Sequence, residues 1–204
     1  VSTDAMTVSE VAAEWALEDG GEDIGVVIFT DSTYQIAIDK ADRLKETVEA
    51  AGGTVLEYVD TPIADTSTRM GPLTTSLLQK YGDSWTHALA INDLYFDFMG
   101  PSLAAAGLAP DKGPQAGSAG DGSEAAFQRI RSNGYQAITV AEPLNLQGWQ
   151  LVDELNRAIQ GEACSGYVTS PALVTPDGLA KMGDSNAFDP DIPYREAYAD
   201  IWGK

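Results

Sequence analysis

The chain has 204 residues, 44% of them apolar, a formal charge of −19 at pH 7 and a single cysteine, with a pI near 4.1. Its length suits one large domain or one and a half small ones, and no apolar run approaches the roughly 20 residues needed to span a bilayer. The acidic balance speaks against nucleic acid or an anionic membrane as partner, and Cys164 has no second cysteine with which to form an internal disulfide.

Taken in order, Thr7-Val8-Ser9-Glu10 has the form of a capping box. Val8, Val11, Ala12 and Trp15 then follow at helical spacing until Gly20-Gly21. Residues 23–30 form a run apolar on both faces, as expected of a strand covered on both sides. Residues 32–51 read as a helix through Ala37, Ala41, Leu44, Val48 and Ala51, and residues 54–59 as a second strand. Residues 60–69 are polar and read as a loop, with Pro72 placed at the first turn of the helix that carries Met70, Leu73, Leu77 and Tyr81.

A strand at 86–91 precedes a helix from Leu94 to Ala106, interrupted at Gly100-Pro101. Residues 115–119 form a weak strand. Asp121-Gly122-Ser123-Glu124 has capping-box spacing and opens a helix with Ala126, Phe127 and Ile130. Residues 137–141 read as a strand and 144–160 as a helix with Leu146, Trp149, Val152, Leu155 and Ile159 on one side. Residues 167–174 are extended, and the Pro-bearing tail is irregular until a short helix near 194–202. Alternation of this kind predicts an α/β fold, a doubly wound parallel sheet with helices on both faces.

In such a sheet the carboxyl ends of the strands face the ligand crevice. Polar groups end the apolar runs at Thr30-Asp31-Ser32, Asp60-Thr61, Asn92-Asp93, Gly120-Asp121 and Glu142-Pro143, so five strand ends are expected to supply one binding rim. An amide such as Asn92 both donates and accepts, and carboxylates such as Asp31, Asp121 and Glu142 accept hydroxyl hydrogen bonds. Each has a structural alternative. Asn92 or Asp93 can cap the following helix, Asp121 can belong to the capping box, and Glu142, held extended by Pro143, can mark an exposed crossover.

Other chemistry finds little support. The glycines at 117, 120 and 122 do not follow the dinucleotide-binding order and no phosphate-binding loop occurs, so no cofactor is expected. His87 precedes its strand and would lie at the opposite edge of the sheet from any nucleophile on the rim, which leaves it a structural role. Cys164 has no histidine partner there, and no His, Cys and carboxylate cluster has metal-ligand spacing. A catalytic use of Asp31, Asp121 and Glu142 would require shifted pKa values, and the chain is expected not to be an enzyme.

The order strand, Asn92-Asp93, helix, strand, Gly120-Asp121-Gly122, helix, Thr139-Val140-Ala141-Glu142-Pro143, then a helix ending in Gln160-Gly161-Glu162, resembles the sugar-binding periplasmic proteins of ABC transporters. These have the type I fold, and the resemblance is to the ribose-binding group. The tail Phe188-Asp189-Pro190-Asp191-Ile192-Pro193-Tyr194-Arg195, with Ile201-Trp202-Gly203, is also similar.

The resemblance implies that residues 1–204 correspond to the carboxy-terminal lobe of a two-lobe solute-binding protein. Val1-Ser2-Thr3-Asp4 would match the first crossover, and 143–166 would pack on an amino-terminal lobe or, in its place, a second copy. It also implies that Asn92, Asp121 and Glu142 contact a sugar or polyol. Glu142 stands where ribose-type proteins carry glutamine. The arginine common near the start of the first long helix is missing between Tyr34 and Ile38, so Tyr34 would stack on or hydrogen-bond to the ligand. The implied function is delivery of that ligand to a membrane permease, from a periplasmic or extracellular location, either free or lipid-anchored through a segment upstream. The alternative is a ligand-sensing domain of a transcription regulator or receptor with the same fold. No signal peptide is visible, and the first residue, Val1, leads us to expect an upstream segment.

Overall fold

The computed structural model describes residues 1–203. The runs apolar on both faces become the centre of one sheet: Gly25–Thr30 (β1), Thr54–Asp60 (β2), His87–Ala90 (β3), Gln115–Ser118 (β4) and Ile138–Ala141 (β5). These five pair parallel, and Ala172–Val174 (β6) joins β5 antiparallel at the edge. The strand order is β2-β1-β3-β4-β5-β6. Every residue of β1, β3 and β5 is buried, as both-face burial by helices requires.

Ala5–Gly20 (α1) and Gln35–Ala50 (α2) pack together on one face, α1 crossing β3, β4 and β5. Thr66–Tyr81 (α3), Leu94–Ala105 (α4) and Glu124–Arg131 (α5) pack in succession on the other. The core of α1 is small (Ala12, Ala13, Ala16), which brings Trp15 down onto β4. A Cβ on Gly117 would sit 2.6 Å from the Trp15 ring, so this close approach requires glycine. Among the described residues no helix is long and apolar enough to cross a membrane.

Several expectations are corrected. Helix α1 begins at Ala5, capped by Asp4, whose carboxylate accepts from the Met6 amide at 2.9 Å; the Thr7 box already lies inside it. Helix α3 begins at Thr66, with Pro72 in its interior rather than its first turn. Proline removes only its own donor, and burial of Met70, Thr74 and Leu77 holds that face down. Helix α4 runs unbroken through Gly100-Pro101. Of residues 167–174 only the last three form a strand, and it is antiparallel. The tail contains a helix the sequence reading lacked, Pro176–Met182 (α7), opened by Thr175 accepting from the Gly178 amide at 3.1 Å.

The helix Leu144–Gln160 (α6) carries two apolar faces, not one. Leu146 is buried, and Trp149 stacks on Trp202 of Tyr194–Ile201 (α8) and its C-cap, with ring centroids 5.3 Å apart and planes 5° from parallel. Asp153 accepts from Trp202 Nε1 at 3.0 Å and from Arg157 Nε at 2.8 Å. Val152, Leu155 and Ile159, expected on the same side as Leu146 and Trp149, instead stand exposed, together with Leu144 and Leu151.

Candidate ligand-binding site

Parallel pairing puts the ends of β1 to β5 on one edge, and the order β2-β1-β3 places the topological switch between β1 and β3, where Asp31 and Asn92 stand. What this rim can do depends on which polar groups are already engaged. Asp31 is buried. Its Oδ1 accepts from the Thr33 amide at 2.9 Å and hydroxyl at 2.5 Å, and its Oδ2 from the Ile63 amide at 2.8 Å. Its own burial opposes ionisation, but these donors outweigh it and hold the carboxyl below the ordinary value. Asp31 therefore shapes the two loops after β1 and β2. Asp60 does similar work, accepting from the Ser32 amide at 2.9 Å and hydroxyl at 2.6 Å.

Of Asn92 and Asp93, the side chain of Asn92 is the one that caps the helix. Asn92 Oδ1 accepts from the Leu94 amide at 3.1 Å and so caps α4, leaving its NH₂ for a ligand. Asp93 makes no capping bond. Its buried carboxylate instead accepts from the amides of Gly122 at 2.9 Å and Ser123 at 2.8 Å, from Gln136 Nε2 at 2.7 Å, and from the Ser118 hydroxyl. This hub fixes the turn that displays Asp121.

Asp121 is free of the capping task, because Ser123 caps α5 by accepting from the Ala126 amide at 3.1 Å. Asp121 is exposed as a residue, yet its carboxyl is crowded by protein. Desolvation pushes it above the ordinary 3.8, Asp93 and Glu142 push the same way, and only the Lys40 ammonium opposes them. Glu142 is half-buried. Its amide donates to the Asp121 carbonyl at 3.2 Å and its Oε2 lies 3.4 Å from Gln147 Nε2. Gln147 also donates to the hydroxyls of Thr3 at 2.8 Å and Thr169 at 3.2 Å, which are 2.7 Å apart. One amide thus ties together the segments at Thr3, Glu142 and Thr169. Tyr34, the N-cap residue of α2, stands 56% exposed beside the rim.

The sequence reading missed Lys40. It lies on α2 in register with Ala37, Ala41, Leu44 and Val48, all buried, and is itself 8% exposed. Burial pushes its pKa below 10.5, against the pull of Glu142, Asp121 and Asp93. A lysine at a core position of an otherwise apolar stripe was the available signal.

His87 sits at the far edge as expected, though it is the first residue of β3 rather than preceding it. Its Nδ1 is 3.0 Å from the Thr86 hydroxyl and its Nε2 3.2 Å from Asp19 Oδ2. It borders an open hollow of about 590 Å³ at the amino ends of the strands. Cys164 is exposed. Among the described residues no group of three or more His, Cys, Asp or Glu side chains is arranged to hold a metal ion.

No protein-family model matches the sequence, and a search of curated proteins finds no relative. Solved structures do match. A periplasmic ribose ABC transporter protein from Conexibacter woesei superposes with a TM-score of 0.78 at 18% identity, over 89% of this chain and 60% of that one. An ABC transporter solute-binding protein from Agrobacterium vitis with bound allitol gives 0.75 at 18% identity, over 88% and 63%. Another from the same organism, with bound D-fucose, gives 0.76 at 19% identity, over 91% and 63%. The chain thus spans about three fifths of the length of these structures. At these identities the likeness concerns architecture, and the chain has the fold of one lobe of a type I periplasmic binding protein, a six-stranded, mostly parallel sheet between two helix layers.

Proposed function

We propose that the chain forms one wall of the cleft in a solute-binding component of an ABC transporter, taking up a sugar or polyol without chemistry of its own. The observation that carries this reading is the division of labour on the rim. Asp31, Asp60 and Asp93 are spent on the protein's own amides and hydroxyls, whereas the Asn92 NH₂ and the Asp121 and Glu142 carboxylates remain available. Together they offer donors and acceptors to neighbouring hydroxyls, with the exposed ring of Tyr34 as a stacking surface. Asp31 enters as the residue that positions the Tyr34 loop, not as a direct contact.

A rim of this kind is half of a cleft. On this reading a second lobe, or a second copy, covers the open face of α6 (Leu151, Leu155, Ile159), and hinge motion between the lobes closes on the ligand. A membrane permease then receives it, which places the protein in the periplasm or outside the cell. The test is a titration of the ¹⁵N-labelled chain with D-ribose, D-fucose, allitol and glycerol at millimolar concentration. The Asn92 side-chain NH₂ and the amides of Gly120 to Ser123 should shift with at least one of them. Resonances that stay fixed throughout the panel would refute a sugar or polyol site.

A further inference from the structure

Lys40 is more than nine-tenths buried, and among the described residues nothing hydrogen-bonds or ion-pairs with its ammonium. The ammonium keeps a sliver of solvent contact, yet a cation so largely buried and without a direct partner is unfavourable, and its surroundings indicate what completes it. Gly120, at the end of β4, has φ +105° and so requires glycine on backbone grounds alone. The missing side chain also leaves a niche. The point where a Cβ would stand is 2.9 Å from Lys40 Nζ, 3.3 Å from Glu142 Oε1 and 3.8 Å from the Ile91 carbonyl oxygen. No ligand atom can take that point, which is bonding distance from the Gly120 Cα, but one strong donor and two acceptors border the surface just above it, the ammonium and the Glu142 carboxylate being too far apart to bond directly.

We propose that Lys40 is the specificity-determining charge of the rim: a ligand hydroxyl bridges Lys40 to Glu142 over Gly120, and the rim selects neutral polyhydroxylated molecules against their oxidised or phosphorylated counterparts. This rests on the sugar- or polyol-binding reading. A hydroxyl suits the niche because it accepts from the ammonium and donates to the carboxylate at once. A carboxylate or phosphate accepts from Lys40 but has no proton for Glu142. It would also add negative charge to a rim where one ammonium already faces Asp121 and Glu142, with Asp93 behind them.

Two measurements on the full chain and on Lys40→Met, whose straight apolar side chain suits the buried stem, decide the matter. The first is a ligand-free carboxyl ¹³C titration. In Lys40→Met the Asp121 carboxyl should titrate higher than in the wild type, because the one opposing charge is gone; unchanged curves would overturn the coupling and the proposal with it. Lys40→Gln, checked for native circular dichroism, repeats the measurement if the methionine variant misfolds.

The second is the NMR binding panel, extended with D-galacturonate, D-ribonate and D-ribose 5-phosphate. Neutral members should bind at least tenfold more tightly than the acids, and Lys40→Met should lose at least tenfold for the best neutral member. An acidic member that binds as tightly as its neutral parent overturns this proposal while leaving the sugar-site reading intact. Silence of the whole panel overturns the reading and the proposal together.

Discussion

Replacing Asp93 with alanine tests whether the rim is held by one buried carboxylate. Asp93 is 2% exposed and receives four hydrogen bonds. Two of its donors have other partners: the Ser118 hydroxyl can turn to Thr139 Oγ1, 3.0 Å away, and Gln136 Nε2 also donates to the Ile138 carbonyl at 3.1 Å. The amides of Gly122 and Ser123 have none of comparable geometry and would be stranded in a half-buried turn. Each unsatisfied group costs about 1–3 kcal/mol, so the pair should remove about 3–4 kcal/mol. Removing a buried charge also relieves its desolvation, but that relief is small where several donors already compensate the charge. With a urea slope of about 2 kcal/mol/M, the unfolding midpoint should fall by about 1.5–2 M at unchanged slope. Hydrogen exchange of the Gly122 and Ser123 amides should become fast in the same variant. A midpoint that drops by less than about 0.5 M, with both amides still protected, would show that the turn does not depend on Asp93.

Asp121→Asn should raise the thermal midpoint at pH 7. A carboxyl whose folded pKa lies above 3.8 weakens the fold once ionised, so the advantage of the variant should close as pH falls below that value, and a pH series of thermal scans reads it directly. Trp202→Ala should uncover Trp149 and release α8 from α6, at about 3 kcal/mol, visible as lost near-ultraviolet dichroism from the stacked pair; retention of that signal would contradict the packing. Leu155→Glu with Ile159→Glu should change the stability of the chain by no more than about 0.5 kcal/mol per site, because these side chains are 60% and 76% exposed. Sedimentation should show less self-association than the wild type, and a large loss of stability would mean that the face is covered within the chain.

The parallel sheet and its rim were legible because the central strands are apolar on both faces and stop abruptly at polar residues; Val26 to Phe29 before Thr30-Asp31 is the clearest case. The duties of those polar residues were not legible. Whether Asp93 caps a helix or anchors a turn depends on Gln136 and Ser118, more than twenty residues away and brought near only by the order of the strands. Proline misled in α3 and α4 because local propensity yields to tertiary burial. The tail misled for the opposite reason. Its short helix α8 was legible near 194–202 and is present, but α7 was not, and the Trp149–Trp202 stack that holds α8 is a contact across the chain that no local spacing announces.

The two-sided dressing of α6 makes the chain's own tail a referee for whatever lies beyond it. Because Trp149 and Asp153 are held from below by Tyr198 and Trp202, a roll of the helix toward a neighbour on its exposed side would break these contacts. On the proposed reading, the azimuth at which Leu151, Leu155 and Ile159 would meet a covering body is set by aromatic residues on the other side of the helix. Substitutions at the very end of the sequence can therefore retune how a distant body is seated, without altering a single atom of the surface it rests on.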